Sequence, residues 1–265
     1  IDALFFEAVS AITTTGLSVG DTTAKRFVVE NFEACPIQNG AALPSPVVRD
    51  AVSGTLLEKE THYTLVGLNN REPGHAVLVV QGVPGSDYEG ILLHIGFEAV
   101  RAIFAAPNGS SEADGGSWAT ATYLMTAFAA ANADAKTEVW LKSGTYALTA
   151  VPTITTNATI RGGFAGSDDN LTLKSGGRSV FDAGGTLDYA FKISKSYEDG
   201  ISYSCWVRVY DCEFCRARLA GVYQKCIVSS RFERCRFTDN GGRDRTSSTC
   251  NGGGAYLSAG GKRPC

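Results

Sequence analysis

Methionine occurs once and histidine three times in 265 residues. The histidines are His62, His75 and His94, so residues 95–265 have no imidazole. That excludes histidine-based acid–base catalysis and mixed Cys/His zinc ligation from the C-terminal part. No apolar run exceeds about a dozen residues, short of the roughly 20 that a bilayer-spanning helix needs. Charged residues make up only 19% of the chain, for a formal net charge of −3, and no nucleic-acid motif accompanies them. The hydrophobic fraction of 44% is large enough for a core and excludes wholesale disorder.

What is abundant is glycine, with 30 copies, set among short Val/Ile/Thr/Phe clusters. That combination predicts an all-β chain with frequent tight turns. Residue 1 is Ile and no signal peptide leads the chain, so the sequence reads as a piece of a longer polypeptide. Charge is unevenly spread: residues 201–265 carry 11 Lys/Arg against 5 Asp/Glu, which leaves the rest acidic. Because the arginines alternate with apolar residues, they are expected on one face of β-strands.

Cysteines are equally uneven. Seven of eight (Cys205, Cys212, Cys215, Cys226, Cys235, Cys250 and Cys265) fall after residue 200. Cys212-Glu-Phe-Cys215 has zinc-ligand spacing, but no second such pair follows. A disulfide framework and a stack of small buried thiols both remain open, and the repeat described below favours the stack.

Residues 1–26 open with ALFFEAVSAITTTGLSVG, which resembles the pore-helix and filter segment of Trk-type potassium transporters. A filter requires four such loops held in membrane helices, and none flanks it. The segment is therefore expected to be a short amphipathic helix and linker. From Phe27 to 98, strands at Phe27–Phe32, Thr61–Val66, His75–Gln81 and Ile91–Phe97 alternate with turns at Asn69–Gly74 and Gly82–Gly90. That spacing predicts a small antiparallel sandwich. From 99 onward, Pro107-Asn-Gly and Asp114-Gly-Gly-Ser-Trp118 lead to an alanine-rich helix over 119–132, with a stripe of Tyr123, Leu124 and Phe128. Strand centres at Val139, Ile160 and Val180 follow about 20 residues apart, and Asp211-Cys-Glu-Phe214 returns 23 residues later as Arg234-Cys-Arg-Phe237. A repeat of that length is the mark of a β-solenoid. It puts Cys212 over Cys235 and Phe214 over Phe237, and turns Gly162-Gly163 and Gly184-Gly185 into coil corners with positive φ.

Two resemblances extend this reading. Pro46–Asp50, Leu56–Tyr63, Asn69-Asn70 with Gly74, and Gly82-Val-Pro-Gly-Ser-Asp-Tyr-Glu-Gly90 resemble the Ig-like repeats of bacterial surface proteins, departing from them at His62 and Cys35. Pro107-Asn108-Gly109, Asp114–Trp118, Glu138-Val-Trp-Leu-Lys-Ser-Gly-Thr-Tyr146 and Thr159-Ile-Arg-Gly-Gly-Phe-Ala-Gly166 resemble the N-terminal coils of exported bacterial right-handed parallel β-helix proteins of the pectate-lyase-like fold. The resemblances imply an all-β architecture: a segment at 1–26, a small Ig-like β-sandwich at 27–98, and the N-terminal coils of a right-handed parallel β-helix at 99–265. They also imply that the helix caps the first coil, with Trp118 packed on that end.

Chemistry is harder to find. Acids that suit polysaccharide cleavage are Asp168-Asp169, which resemble the paired aspartates of polygalacturonases, with Asp182, Asp188, Asp211 and Asp239. Arg208, Arg234 and Arg236 are near in sequence. The plainer use of such acids is to cap turns. Asp211 and Glu213, two apart on one strand, with Glu233 one coil on, form the single trio suited to an enzyme. Tyr203, Trp206, Arg208 and Tyr210 suit a sugar-stacking groove or, by alternation, partly the core. No catalytic residue, metal or cofactor is assigned. The expectation is a non-catalytic, extracellular or cell-surface display or adhesion protein whose partners are host or cell-surface glycans or proteins, with no nucleic acid and no membrane span. The alternative is a polysaccharide lyase or glycoside hydrolase with its site on later coils or around Asp211, Glu213 and Glu233. An autotransported passenger would share the fold.

Overall fold

The computed structural model describes residues 27–29, 34–90, 92–168, 174, 176–194, 205–225, 228–241 and 256–259. The expectations for 1–26, Phe32, Asp169, Tyr203, Cys226, Cys250 and Cys265 lie outside these residues, as does that for the side chain of Cys205. The described chain is mostly β with one α-helix. It divides into two compact units: Ile1–Arg101 with Asp168–Lys174, and Ala102–Ser167 with Ser175–Cys265.

The first unit has strands β1 (Phe27–Val29), β2 (Ala34–Pro36), β3 (Val48–Asp50), β4 (Tyr63–Leu68), β5 (Gly74–Gly82) and the start of β6 (Leu92–Ser110). β1 pairs with β3, β4 with β5 and β5 with β6, all antiparallel. Here the sandwich expectation needs a correction, because β2 runs parallel to β6 and the sheet is mixed. Alternation along β5 buries Ala76, Leu78 and Val80 on one face, where Phe27, Tyr63, Leu93 and Phe97 meet them.

The second unit repeats a three-strand motif. β7 (Thr137–Lys142), β8 (Gly144–Ala147) and β9 (Thr153–Ile154) enter three different sheets. The next sets follow the same order: β10 (Ala158–Phe164), β11 (Ser179–Asp182) and β12 (Tyr189–Ser194), then β13 (Cys205–Tyr210), β14 (Cys212–Cys215) and β15 (Ala220–Lys225). The last set is β16 (Val228–Glu233), β17 (Arg236–Thr238) and β18 (Tyr256–Ala259). Every pairing between successive sets is parallel, each strand against its counterpart in the next set.

Register corrects the sequence-derived spacing. Val139 pairs with Ile160 as expected, but Val180 belongs to another sheet, and the next partner of Ile160 is Val209. The separations along the first sheet are thus 21, 49 and 23 residues, not a constant 20. The strands hold the register through inward side chains, and the extra length falls between β10 and β11 and between β12 and β13, where a longer connection costs little entropy. In the second sheet Phe214 lies over Phe237 as expected, beneath them Phe181 and Tyr146, and the four rings form one column.

The helix, α1 (Leu124–Ala133), is shorter than the predicted 119–132. Its start is delayed because the preceding backbone is held extended: Tyr123 N–H donates to Ser110 O at 3.1 Å and Thr122 Oγ1 to the same oxygen at 3.0 Å. Leu124, Ala127, Phe128 and Ala131 face the core, and Phe128 meets Phe181 and Phe191 edge-on at 6.1 and 5.8 Å. Tyr123 precedes the helix and stays half-exposed. Trp118 packs elsewhere. Alternation turns Trp140 away from the Val139 and Leu141 side of β7, where Phe104 and Phe164 cover it and Trp118 packs in turn on both. Trp140 and Phe164 stack at 4.5 Å, so this face of β7 is roofed by aromatics.

Candidate functional site

The sharpest corners of the second unit are single residues in the left-handed region. Asp211 (φ 55°) separates β13 from β14, and Arg234 (φ 52°) stands at the same corner one set later. Gly163 occupies the equivalent place in β10 with φ 81°, 3.3 Å (as a built Cβ) from Asp211 Cβ. Gly162 differs from expectation: its role is close approach, since a Cβ there would lie 2.7 Å from Asp211 O and 2.8 Å from Cys212 Sγ. Gly184 and Gly185 do take positive φ, 64° and 72°. A short polar side chain tolerates such a bend better than a branched one, which suits Asp to it.

These corners decide the fate of the acids. Asp211 is not on one strand with Glu213; the bend sends Glu213 onto the next sheet. Arg234 grips Asp211 with two bonds, Nε to Oδ1 at 2.6 Å and Nη2 to Oδ2 at 2.8 Å. Glu213 accepts from Thr238 Oγ1 at 2.6 Å and lies in register with Arg236. Glu233 pairs with Arg231 Nε at 2.5 Å. The trio is therefore split across a corner, with each carboxylate engaged by a neighbour. Asp188 pairs with Arg218 at 3.4 Å, Asp168 is buried, and Asp239 is an exposed corner residue with φ 52°.

Asp182 shows the pattern most clearly. Its Oδ1 accepts from Gly184 N–H at 2.9 Å, closing a turn, and both its oxygens face the Arg216 guanidinium. The Arg216 hydrogen bonds hold the Asp182 carboxyl below the usual carboxylate range, aided by the Gly184 N–H, and outweigh burial, which acts the other way. Because the folded value is depressed, the stabilisation is fully present above the unfolded carboxylate pKa and is lost as pH falls through the folded one. Thermal melts between about pH 6 and 2 should show an acid-side loss of Tm that is smaller in Asp182→Asn than in the wild type. Equal acid limbs in the two proteins would count against the pair.

The thiols are structural by position. Cys215 and Cys235 carry free thiols, and Cys212 is fully buried in the core column before the aromatic one. Cys212 donates to Tyr210 O at 3.3 Å and Cys235 to Glu233 O at 3.4 Å, the same local bond one set apart. Burial pushes the Cys215 and Cys235 thiols up, away from the thiolate a nucleophile or metal ligand needs. Among the described residues no three His, Cys, Asp or Glu side chains come together to hold a metal ion.

Two outward faces remain. On β13, Val207 and Val209 point inward, so Trp206, Arg208 and Tyr210 point out. That resolves the open alternation: these side chains are on the surface, with Trp206 39% exposed. The Arg208 guanidinium sits 5.0 Å from the Trp206 ring, and Arg161 sits 4.9 Å from that of Tyr210. The second face is a groove of about 430 Å³ lined by Val151, Thr153, Leu187, Asp188, Lys192 and Arg218, among others. Tyr189 lies in its wall and stacks on Tyr223 at 4.6 Å, while Lys192 stands in register with both Thr153 and Tyr223. Sequence reasoning missed this groove. Its residues belong to no motif, and only the parallel register of β9, β12 and β15 brings 153, 192 and 223 side by side.

No protein-family model, curated protein or solved structure matches the chain. The functional reading therefore rests on the geometry. The arrangement offers rings, cations and hydroxyl groups on outward faces, which suits binding. It offers no acid held apart from a counter-ion for proton transfer among the described candidates Asp182, Asp188, Asp211 and Glu233. Among the described residues no helix is long and apolar enough to cross a membrane.

Proposed function

We propose that this chain is a non-catalytic display or adhesion segment of an exported bacterial surface protein, an Ig-like module followed by the first coils of a right-handed parallel β-helix. The observation that carries this reading is the engagement of the trio expected of an enzyme: Asp211 by Arg234, Glu213 by Thr238 and Glu233 by Arg231. Glycoside hydrolysis needs two carboxyl groups flanking one bond, one of them with a raised pKa. Asp211 and Glu213 instead stand on two sheets, and Arg216 holds the Asp182 carboxyl low, the wrong direction for a proton donor. Support also comes from the three parallel ladders, which build long outward faces, and from the likeness of residues 104–166 to exported β-helix proteins. On this reading the groove beside Tyr189, Lys192 and Arg218 is a contact surface for a cell-surface glycan.

Incubation with a panel of neutral and acidic polysaccharides, with and without Ca²⁺, should yield no new reducing ends and no unsaturated-product absorbance. Turnover that disappears in Asp211→Asn or Glu233→Gln would overturn the display reading in favour of a lyase or hydrolase.

A further inference from the structure

We infer that the outer face of β13 and β16 is a binding strip for sulfated saccharides, with Trp206 as the stacking platform and Arg208 and Arg231 as the oxyanion clamp. This deepens the display reading and rests on it, since it assigns the ligand class to a surface that does no chemistry.

Three observations converge. First, Trp206 is 39% exposed, although an indole of that size ordinarily finds cover in a protein with so many aromatic contacts elsewhere. Sugar rings stack on such a face through their C–H groups, and an aromatic body with a polar edge suits a surface that is wet until occupied. Second, Arg208 and Arg231 are neighbours in register on adjacent parallel strands, about 4.8 Å apart at the backbone. Like charges directly opposite one another destabilise a sheet. Such a pair is relieved when an anion lies between its members.

Third, the local counter-ions do not cancel the strip. Arg161 is matched by Glu138, Arg234 by Asp211 and Arg231 by Glu233 through Nε. Among the described residues no ion pair falls on Arg208, whose guanidinium lies over the Trp206 ring. Glu233 meets Arg231 at Nε, and the Arg231 side chain is 70% exposed. The ligand chemistry follows from the donors. A carboxylate has two oxygens and is filled by one guanidinium fork. A sulfate ester keeps its charge at every accessible pH and offers three oxygens, enough to accept from two arginines at once. The combination of a stacking ring and a double arginine thus fits a sulfated sugar better than a uronate.

The test uses the full chain and size-defined oligosaccharides of one backbone in sulfated and chemically desulfated form, followed by calorimetry and by quenching of tryptophan fluorescence. Binding is expected for the sulfated form, with affinity falling about 10-fold or more in both Trp206→Ala and Arg208→Ala. Both side chains are on the surface, so the variants should keep the wild-type melting temperature. Lys136→Ala, which removes an exposed cation in the turn between α1 and β7, should bind as the wild type does. Equal affinity for the desulfated backbone, or binding that persists in Trp206→Ala and is matched by duplex DNA of the same charge, would overturn the proposal and leave only a non-specific cationic surface. The absence of binding would overturn it too, without touching the display reading. Cleavage of the oligosaccharide would instead overturn the display reading.

Discussion

Phe214→Ala should lower the unfolding free energy by about 3–5 kcal/mol, the range for emptying a large aromatic site in a packed core. Phe214 is fully buried at the point where four ring contacts meet along and across the stacked strands. It lies 5.0 Å from Phe181 below, 5.5 Å from Phe237 above and 5.7 Å from Phe191 on the neighbouring sheet, with Phe232 edge-on at 6.1 Å. Its neighbours sit on parallel strands whose backbones are held by ladder bonds, so they cannot close the gap, and a cavity adds to the lost transfer energy. Urea denaturation followed by circular dichroism measures the effect, and Phe214→Leu should recover more than half of it. A loss below about 1 kcal/mol for the alanine variant would mean that the column is not a continuous core.

Gly82→Ala should destabilise the first unit by about 3 kcal/mol, the upper end of the usual overpacking cost. A Cβ at Gly82 would lie 1.8 Å from the carbonyl oxygen of Tyr88 and 2.6 Å from its carbon. Both are backbone atoms, and the turn that carries them is pinned by Val83 N–H to His62 O, Ser86 N–H to Val83 O and Glu89 N–H to Ser86 O. The Tyr88 ring is itself anchored against Phe27 and His62 at 5.9 and 5.5 Å. Nothing at the contact is the free end of a side chain, so relief requires moving the turn. Gly85→Ala is the matched control: no atom lies within 4 Å, and its φ of 79° costs only the left-handed penalty of about 1–2 kcal/mol. If the two variants unfold at the same denaturant concentration, the close approach at Gly82 is not what the turn depends on.

Local patterning already contained much of this protein. Glycine-punctuated β-branched clusters, alternation in Thr61–Val66, and the 23-residue return of Cys-x-Phe predicted a β-rich chain and the stacking of Phe214 on Phe237. These features are legible because strand burial has period 2 and like residues repeat when coils stack. The length of the coils was not legible. Ile160 meets Val209, 49 residues away, because connections between strands accept extra length cheaply while inward positions keep their register. Nor was the start of α1, which depends on Ser110 holding Thr122 and Tyr123 extended from 12 and 13 positions upstream.

For the candidate sites the division is sharper. Sequence named Asp211 and Glu213 together as two apart on one strand, with Glu233 one coil on, and Trp206, Arg208 and Tyr210 without assigning them a face. Tertiary structure alone decided both. The left-handed bend at Asp211 puts the first two acids on different sheets, and Arg234 reaches back to neutralise one of them. Burial of Val207 and Val209 turns the ring and the arginine outward. Residues 153, 192 and 223 share no motif, yet parallel pairing sets them in one row. Sequence by itself determined which residues alternate and repeat, since those are short-range properties of the chain. Which charges meet, and which side chains face solvent together, was decided by the stacking of strands tens of residues apart, because a backbone ladder fixes lateral neighbours that the chain order does not encode.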